Sequence, residues 1–409
     1  MKKINKNFII TVLTVLIPLI MQFIYIRYVS YEVDKTIYGN FILLQTLVTG
    51  LSYIFIQIPS QAYDRFFNTT TDKIEFVNEF RTLLIGINLL SLFFIILYGY
   101  VMKKFSIEIL FVIFIYFILL NNYSFNQKVF LLNLERKKYF FLKTMESSAK
   151  FITPIVAYNF YETLLSFVVG LMFGYMISFI ILIKYMKSYP FKIVVNVKHL
   201  QEYFKFAYPI LFTSIFMWGI SFSDRYFIEF FLTTSAVAIY AILAQVAGIG
   251  QVFGQIYVMY VNPQVLRQFE LDKTKSLVYL DKALKKYFLI FILLSLIAYF
   301  LPPQIYTILI EKSVINNPFY LKTFYILIIA IFVTVYQTAY SMYFVLFKKL
   351  NILAYIYFIA FFVNVIGNLF IKDYGIIAAA LATLGAYITI LLLQIIYVAK
   401  YIKNGNLND

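Results

Sequence analysis

The sequence predicts an all-α integral membrane protein of about twelve transmembrane helices, arranged as two six-helix lobes. Three observations lead there. Hydrophobic residues make up 62% of the chain and charged ones only 13%, against about 25% charged in a soluble domain. Apolar runs long enough to cross roughly 30 Å of hydrocarbon recur from one end to the other. Lys and Arg gather in alternate connections between those runs, as expected of a chain threaded back and forth through a bilayer.

The runs lie at 8–28, 38–62, 82–102, 107–125, 142–161, 164–184, 206–230, 235–261, 287–303, 321–346, 351–371 and 375–400. The first follows the basic flank MKKINKNF. It is too long for a secretory leader and no small-residue cleavage site follows it, so it reads as a retained helix. Very short loops separate the fifth run from the sixth and the eleventh from the twelfth. One set of alternate connections holds 26 of the Lys and Arg residues and the other holds 7. That excess predicts cytoplasmic termini at both ends and an even number of spans. The connection 185–205 divides the chain into an N-lobe, 1–195, and a C-lobe, 196–409. IYGNFILLQ (37–45) and IYAILAQ (239–245) open corresponding runs of the two halves, as a parallel repeat would. The connections 185–205 and 262–286 suit short amphipathic helices, and YLDKALKKYF (279–288) reads as an interfacial one. Pro18, Pro59, Pro154, Pro209, Gly219, Gly248, Gly250 and Gly254 interrupt the runs. They mark either ordinary curvature or hinges between rocking bundles.

Several function classes fall away. The formal net charge of +16 would suggest nucleic acid in a soluble protein. Here the basic residues flank membrane spans and the aromatics lie within them, so no nucleic-acid partner is expected. There are no cysteines, hence no disulfide, thiolate nucleophile or Cys-bound metal. The single histidine, His199, sits on a connection. No paired carboxylates on an outer loop and no Walker loop are present. An enzyme is therefore not expected, and a polysaccharide polymerase or ligase would need a larger outer loop than any found here. Transport remains.

Ionisable residues at membrane depth carry the functional expectation. Lys150 follows Glu146 by four residues, a spacing that allows a pair on one helix face. It reads either as a lysine snorkelling to the interface or as a cavity-facing cation. Asp64 and Arg65 end the second run and Arg27 ends the first, with the same two readings. In GISFSDRYFIEFF (219–231), Arg225 and Glu229 can pair while Asp224 points about 100° away. At 1.5 Å per residue, Arg225 lies roughly 27 Å along its helix, near the outer boundary. Gln22, Gln45, Gln57, Gln245, Gln251, Gln255, Asn364 and Asn368 also fall inside runs, either as glue between helices or as cavity lining.

The stretch AYPILFTSIFMWGISFSDRYFIEFFLTTSAVAIYAILAQ (207–245) resembles bacterial polysaccharide exporters of the O-antigen flippase (Wzx) type. These belong to the multidrug/oligosaccharidyl-lipid/polysaccharide exporter superfamily. The matching pieces are Pro209, Trp218, the Ser-Asp-Arg-Tyr element at 223–226 and the small-Ile-Tyr start at 238–240. NVIGNLFIKDYGIIAAALATLGAY (364–387) and YVSYEVDKTIYGNF (28–41) with DRFF (64–67) are similar in kind. One departure is Ala241 after Tyr240, where the first half has Gly39. The resemblance implies two six-helix lobes around a central cavity. It implies translocation of an undecaprenyl-diphosphate-linked oligosaccharide across the bacterial cytoplasmic membrane by alternating access. It also implies a coupling ion, proton or sodium, with no other cofactor, and partners among membrane lipids and other polysaccharide-assembly proteins. The diphosphate would need fixed cations; Lys150, Arg225, Arg27 and Arg65 are the candidates, with Glu146 and Asp224 as their acidic neighbours. The competing expectation is a multidrug or small-molecule/cation antiporter of the same superfamily, which would carry a deep carboxylate in the N-lobe.

Overall fold

The computed structural model describes residues 6–403. Residues 1–5 and 404–409, with Lys2 and Lys3 among them, lie outside the described residues, as do the side chains of Pro209 and Gln255. Every element within the described residues is helical. The chain divides into two compact units, Met1–Leu211 and Phe212–Asp409. The expected boundary at 195/196 precedes the helix in which this division falls.

The first unit holds α1 (Lys6–Tyr31), α2 (Lys35–Leu51) and α3 (Gln57–Phe66), the last two joined by a π-helical turn at Ser52–Ile56. It continues with α4 (Lys73–Met102), α5 (Ile107–Leu132), α6 (Arg136–Phe151), α7 (Thr153–Phe160), α8 (Leu164–Tyr185) and the start of α9 (Val197–Phe222). Local chemistry sets the starts. The side chains of Asp34, Asp72, Ser106 and Thr163 accept from the free backbone N–H groups of α2, α4, α5 and α8. The break between α6 and α7 comes just before Pro154, whose missing N–H is harmless in a first turn. Helix α8 carries Gly170 and Gly174, a Gly-x-x-x-Gly pair that lets backbones approach. A Cβ on Gly170 would sit 2.5 Å from the Thr153 carbonyl oxygen, and one on Gly174 would sit 2.8 Å from Ala149 Cα. Aromatic rings fill the rest. Phe167 meets Phe41 edge-on at 4.5 Å, and Tyr63 meets Phe125 at 4.4 Å.

The second unit holds α10 (Asp224–Phe231), α11 (Thr234–Ala247), α12 (Gln251–Leu271) and α13 (Lys273–Phe300). A 3₁₀ turn at Gly248–Gly250 joins α11 to α12. Two short helices, α14 (Pro303–Tyr306) and α15 (Lys312–Ile315), precede α16 (Pro318–Tyr340) and α17 (Met342–Leu346). Then come α18 (Leu350–Asn368), α19 (Ile371–Tyr374) and α20 (Ile376–Tyr397). Helix α20 packs against both α16 and α18. Its small residues Ala378, Ala379, Ala380, Ala382 and Ala386 are buried, and Ala382 Cβ comes within 2.6 Å of where a side chain on Gly367 would begin. Gly375, at φ 62°, makes the turn into α20, a conformation that side-chain-bearing residues rarely adopt. Asp272 caps α13, and the Lys275 N–H it accepts holds its carboxyl below the usual carboxylate range.

Nine helical segments among the described residues are long and apolar enough to cross a membrane, as expected of a multi-pass membrane protein. The expected runs outside this set are 142–161, 206–230 and 235–261. Two of them are broken, at the α6/α7 junction and at the 3₁₀ turn, while 206–230 begins in α9, which is continuous to Phe222 and some of whose side chains lie outside the described residues. Counting apolar residues does not register the two breaks. A second expectation is corrected outright. The segment 279–288 is not a separate interfacial helix but the early part of α13. Leu280, Leu284 and Tyr287 share one face and are buried in the unit's core instead of facing an interface.

Candidate functional site

Two polar groups lie inside the apolar helices, one in each unit. In the first unit, α5 interrupts its apolar sequence with NNYSFNQK (121–128), and Asn121, Asn126 and Gln127 are buried. Gln127 Nε2 donates to Glu146 Oε2 at 2.7 Å, and Lys143 Nζ donates to the same oxygen at 2.8 Å. Tyr123 donates to the Leu142 carbonyl at 2.6 Å and so ties α5 to α6 just below that pair. The anticipated Glu146–Lys150 pair does not form; Glu146 is bonded to Gln127 and Lys143 instead. Lys150 is exposed, its ammonium 5.1 Å from the Phe151 ring centre. It has no ion pair among the described residues. Helix α6 thus carries a neutralised lysine, its carboxylate and a cation left over.

The other first-unit candidates are separate from this group. Arg27 is exposed, with its guanidinium 5.0 Å from the Tyr31 ring. Asp64 pairs with Lys128 at 2.8 Å, and Arg65 beside it is exposed without an ion pair among the described residues.

In the second unit Asp224 is the first residue of α10, after Ser223, which keeps helical dihedrals, and it is 2% exposed. Its Oδ1 accepts the Arg225 N–H at 2.8 Å, and the Tyr240 hydroxyl hydrogen-bonds the same carboxylate. Tyr240 also meets Thr383. Asn364 Nδ2 reaches Thr383 Oγ1 at 3.5 Å, Asn368 Nδ2 donates to Asn364 Oδ1 at 3.0 Å, and Ser223 Oγ donates to it at 3.4 Å. A second string continues from Ser221 and Tyr387, 3.0 Å apart. It passes to Thr334 and Gln337, whose Oε1 accepts from Tyr357 at 3.1 Å and from Gln394 at 3.4 Å. Asn364, Asn368, Gln337 and Gln394 are fully buried. Arg225, one of the candidate cations of the sequence, is half-buried against Phe222 at 4.6 Å. Glu229 accepts from Thr234 at 3.1 Å.

No group of three or more His, Cys, Asp or Glu residues among the described residues suits a metal ion. The surroundings of Asp224 are instead one carboxylate with hydroxyl and amide oxygens, a set suited to a hard monovalent cation or a proton.

No protein-family model matches the chain, and no curated protein matches it. Solved structures do. The lipid II flippase MurJ in an inward closed conformation aligns with a TM-score of 0.68 at 18% identity, covering 96% of this chain and 87% of that one. A multidrug resistance MATE family transporter of the MOP superfamily, inward-facing, aligns with a TM-score of 0.70 at 12% identity, covering 98% of this chain and 100% of its own. A MOP superfamily transporter from Pyrococcus furiosus aligns with a TM-score of 0.55 at 12% identity, covering 95% and 92%. The fold is that of the MOP superfamily transporters. On this MOP fold the sequence reading had found Asp224, Asn364, Asn368, Glu146 and Lys150 but had missed Gln127, Tyr240, Thr334, Gln337, Thr383, Tyr387 and Gln394. A signal was available. Thr334, Gln337 and Thr338 recur at i, i+3 and i+4, and Thr383 and Tyr387 at i and i+4, each on one face of an otherwise apolar helix.

Proposed function

We propose that the protein is a flippase that moves an undecaprenyl-diphosphate-linked oligosaccharide across the cytoplasmic membrane for surface polysaccharide assembly, by alternating access coupled to an ion. The observation that carries this reading is Lys150, an exposed cation without an ion pair among the described residues on α6. An ammonium left over and open in this way can meet an anion. A diphosphate supplies that anion, with charge-assisted hydrogen bonds to the ammonium. The likeness in fold to a structure named as a lipid II flippase adds support. The coupling ion, proton or sodium, is assigned in this reading to Asp224, the buried carboxylate of the second unit.

The antiporter reading asks for a carboxylate free to meet a cation in the first unit. Glu146 is taken by Lys143 and Gln127, and the buried Glu79 is taken by His199 and Tyr203. Neither is free, which favours the flippase. The test is reconstitution of the purified protein with a fluorescent undecaprenyl-diphosphate oligosaccharide in one leaflet and an imposed ion gradient. Transfer to the other leaflet is expected. Transport of small organic cations alone, with no movement of the lipid, would overturn the reading.

A further inference from the structure

The connection ahead of α9 is held on one side and bare on the other. Four residues near the start of α4 hold it. Arg81 Nη1 donates to the Tyr189 carbonyl at 2.7 Å, and Asn78 Nδ2 to the Pro190 carbonyl at 2.9 Å. Thr82 Oγ1 accepts the Val194 N–H at 3.1 Å. Glu79 accepts from Tyr203 at 3.0 Å and lies 2.8 Å from His199 Nδ1. The Tyr203 ring stacks on Phe80 at 4.9 Å. All of these lie within the first unit. Residues 190–196 form no helix, strand or turn. Val194 and Asn196 are half-buried, and Asn196 Oδ1 accepts the His199 N–H. Phe191, Ile193, Val195 and Val197 are 60–67% exposed. Where the chain becomes helical at Val197, the row continues through Phe204, 57% exposed, and Tyr208. Val197, Leu200, Gln201, Phe204, Lys205 and Tyr208 line an open groove of about 580 Å³ along it.

An apolar row of this length held out from a well-fixed segment has a surface to cover. The charge beside it indicates which. Lys184, Lys187, Lys192, Lys198 and Lys205 flank the row, and Glu202 is the single acidic residue between 184 and 208. The lysine distribution of the whole chain assigns this connection to the cytoplasmic face. Apolar side chains at the acyl boundary with lysines at headgroup level are what an interfacial element on an anionic leaflet presents. We propose that residues 191–208 form a docking ridge for anionic phospholipid headgroups of the cytoplasmic leaflet, with the apolar row seated among the acyl chains. The ridge fixes the entry of α9 relative to the leaflet, independently of what the transporter carries.

The absence of cysteine makes the test direct, since Ile193→Cys gives the full-length protein one site for a bimane label. In proteoliposomes, brominated phosphatidylglycerol should quench that label more strongly than brominated phosphatidylcholine. A label at Val194→Cys should be quenched less, because that residue is half-buried. Adding Lys192→Gln, Lys198→Gln and Lys205→Gln should lower the phosphatidylglycerol preference by about tenfold or more, since each interfacial lysine contributes on the order of 1 kcal/mol. Residue 193 is exposed, so its substitution leaves packing intact. Three results would overturn the proposal: no quenching by either lipid, as for a protein-covered or water-bathed surface; equal quenching by both lipids; or equal quenching at 193 and 194.

Discussion

In the first unit the α6 carboxylate is met by a lysine, whereas in the second Asp224 is met by a backbone N–H and a hydroxyl. On α6, Lys143 and Glu146 pair, Gln127 completes the carboxylate's bonding, and Lys150 stays exposed with no ion-pair partner among the described residues. In the second unit Asp224 is buried, accepts from the Arg225 N–H and bonds to Tyr240, which leads on to Thr383 and Asn364. A cation at an exposed edge can meet a large anion. A carboxylate shut among hydroxyls and amides can meet only something as small as a proton or a bare cation. Under the proposed function, headgroup recognition falls to the first unit and ion coupling to the second.

The strongest way to break that contrast is Asp224→Asn. The amide keeps the size and can still hydrogen-bond to Tyr240, so folding should survive. Gradient-driven translocation should fall by roughly 5–150-fold, the span of ordinary coupling free energies. Lipid binding without a gradient should be unchanged. An unaltered gradient-driven rate would reduce the second-unit network to helix-to-helix glue.

Next in size is Lys150→Gln. Losing a hydrogen bond to a charged group costs about 1.5–3 kcal/mol, so affinity for an undecaprenyl diphosphate should fall by roughly 10–100-fold. Glu146→Gln should act in the opposite direction, because it releases Lys143 while keeping an acceptor for Gln127. Titration of both variants with the same lipid in nanodiscs checks the pair. Equal affinity in all three proteins would remove α6 from recognition.

The fold class was readable from the sequence because burial in a bilayer writes itself into long apolar runs and into the side on which lysines fall. The placement of single side chains was less readable. Spacing gave Arg225 and Glu229 a possible pair and pointed Asp224 elsewhere, but it could not show that Asp224 would be buried and Arg225 half-buried. The same limit explains the missing Glu146–Lys150 pair. An i,i+4 spacing permits a contact, but Glu146 is bonded to Lys143 and to Gln127 on a neighbouring helix instead. The neutral networks were overlooked because Thr, Gln and Tyr in apolar spans attract less notice than charge, although their spacing on one face was visible.

A change in packing tests whether the α6 geometry depends on α8. Gly174→Ala would push a methyl to 2.8 Å from Ala149 Cα, a backbone contact that cannot swing aside. Overpacking of this kind costs about 1–3 kcal/mol. The thermal unfolding midpoint of the detergent-solubilised protein should drop accordingly, and lipid affinity should weaken along with it if α8 holds Lys150 in place. Gly86→Ala, where nothing lies within 4 Å of the new methyl, serves as the neutral control.

The smallest effect is expected at Arg65, and its smallness is informative. In the sequence Arg65 ends an apolar run, whereas Lys150 lies inside one, and both were candidate cations. In the structure it is exposed on α3, while its neighbour Asp64 is already bonded to Lys128 and that lysine also reaches Ser60. Arg65→Ala therefore removes no ion pair and should shift stability by less than about 0.5 kcal/mol. Lipid affinity should also stay at the parent value, because no polar constellation converges on this position. Binding isotherms for Arg65→Ala and Lys150→Gln, measured side by side, would separate a cation placed for recognition from one that only marks the membrane surface. A loss at Arg65 equal to that at Lys150 would mean that the headgroup is held by general positive charge and not by α6.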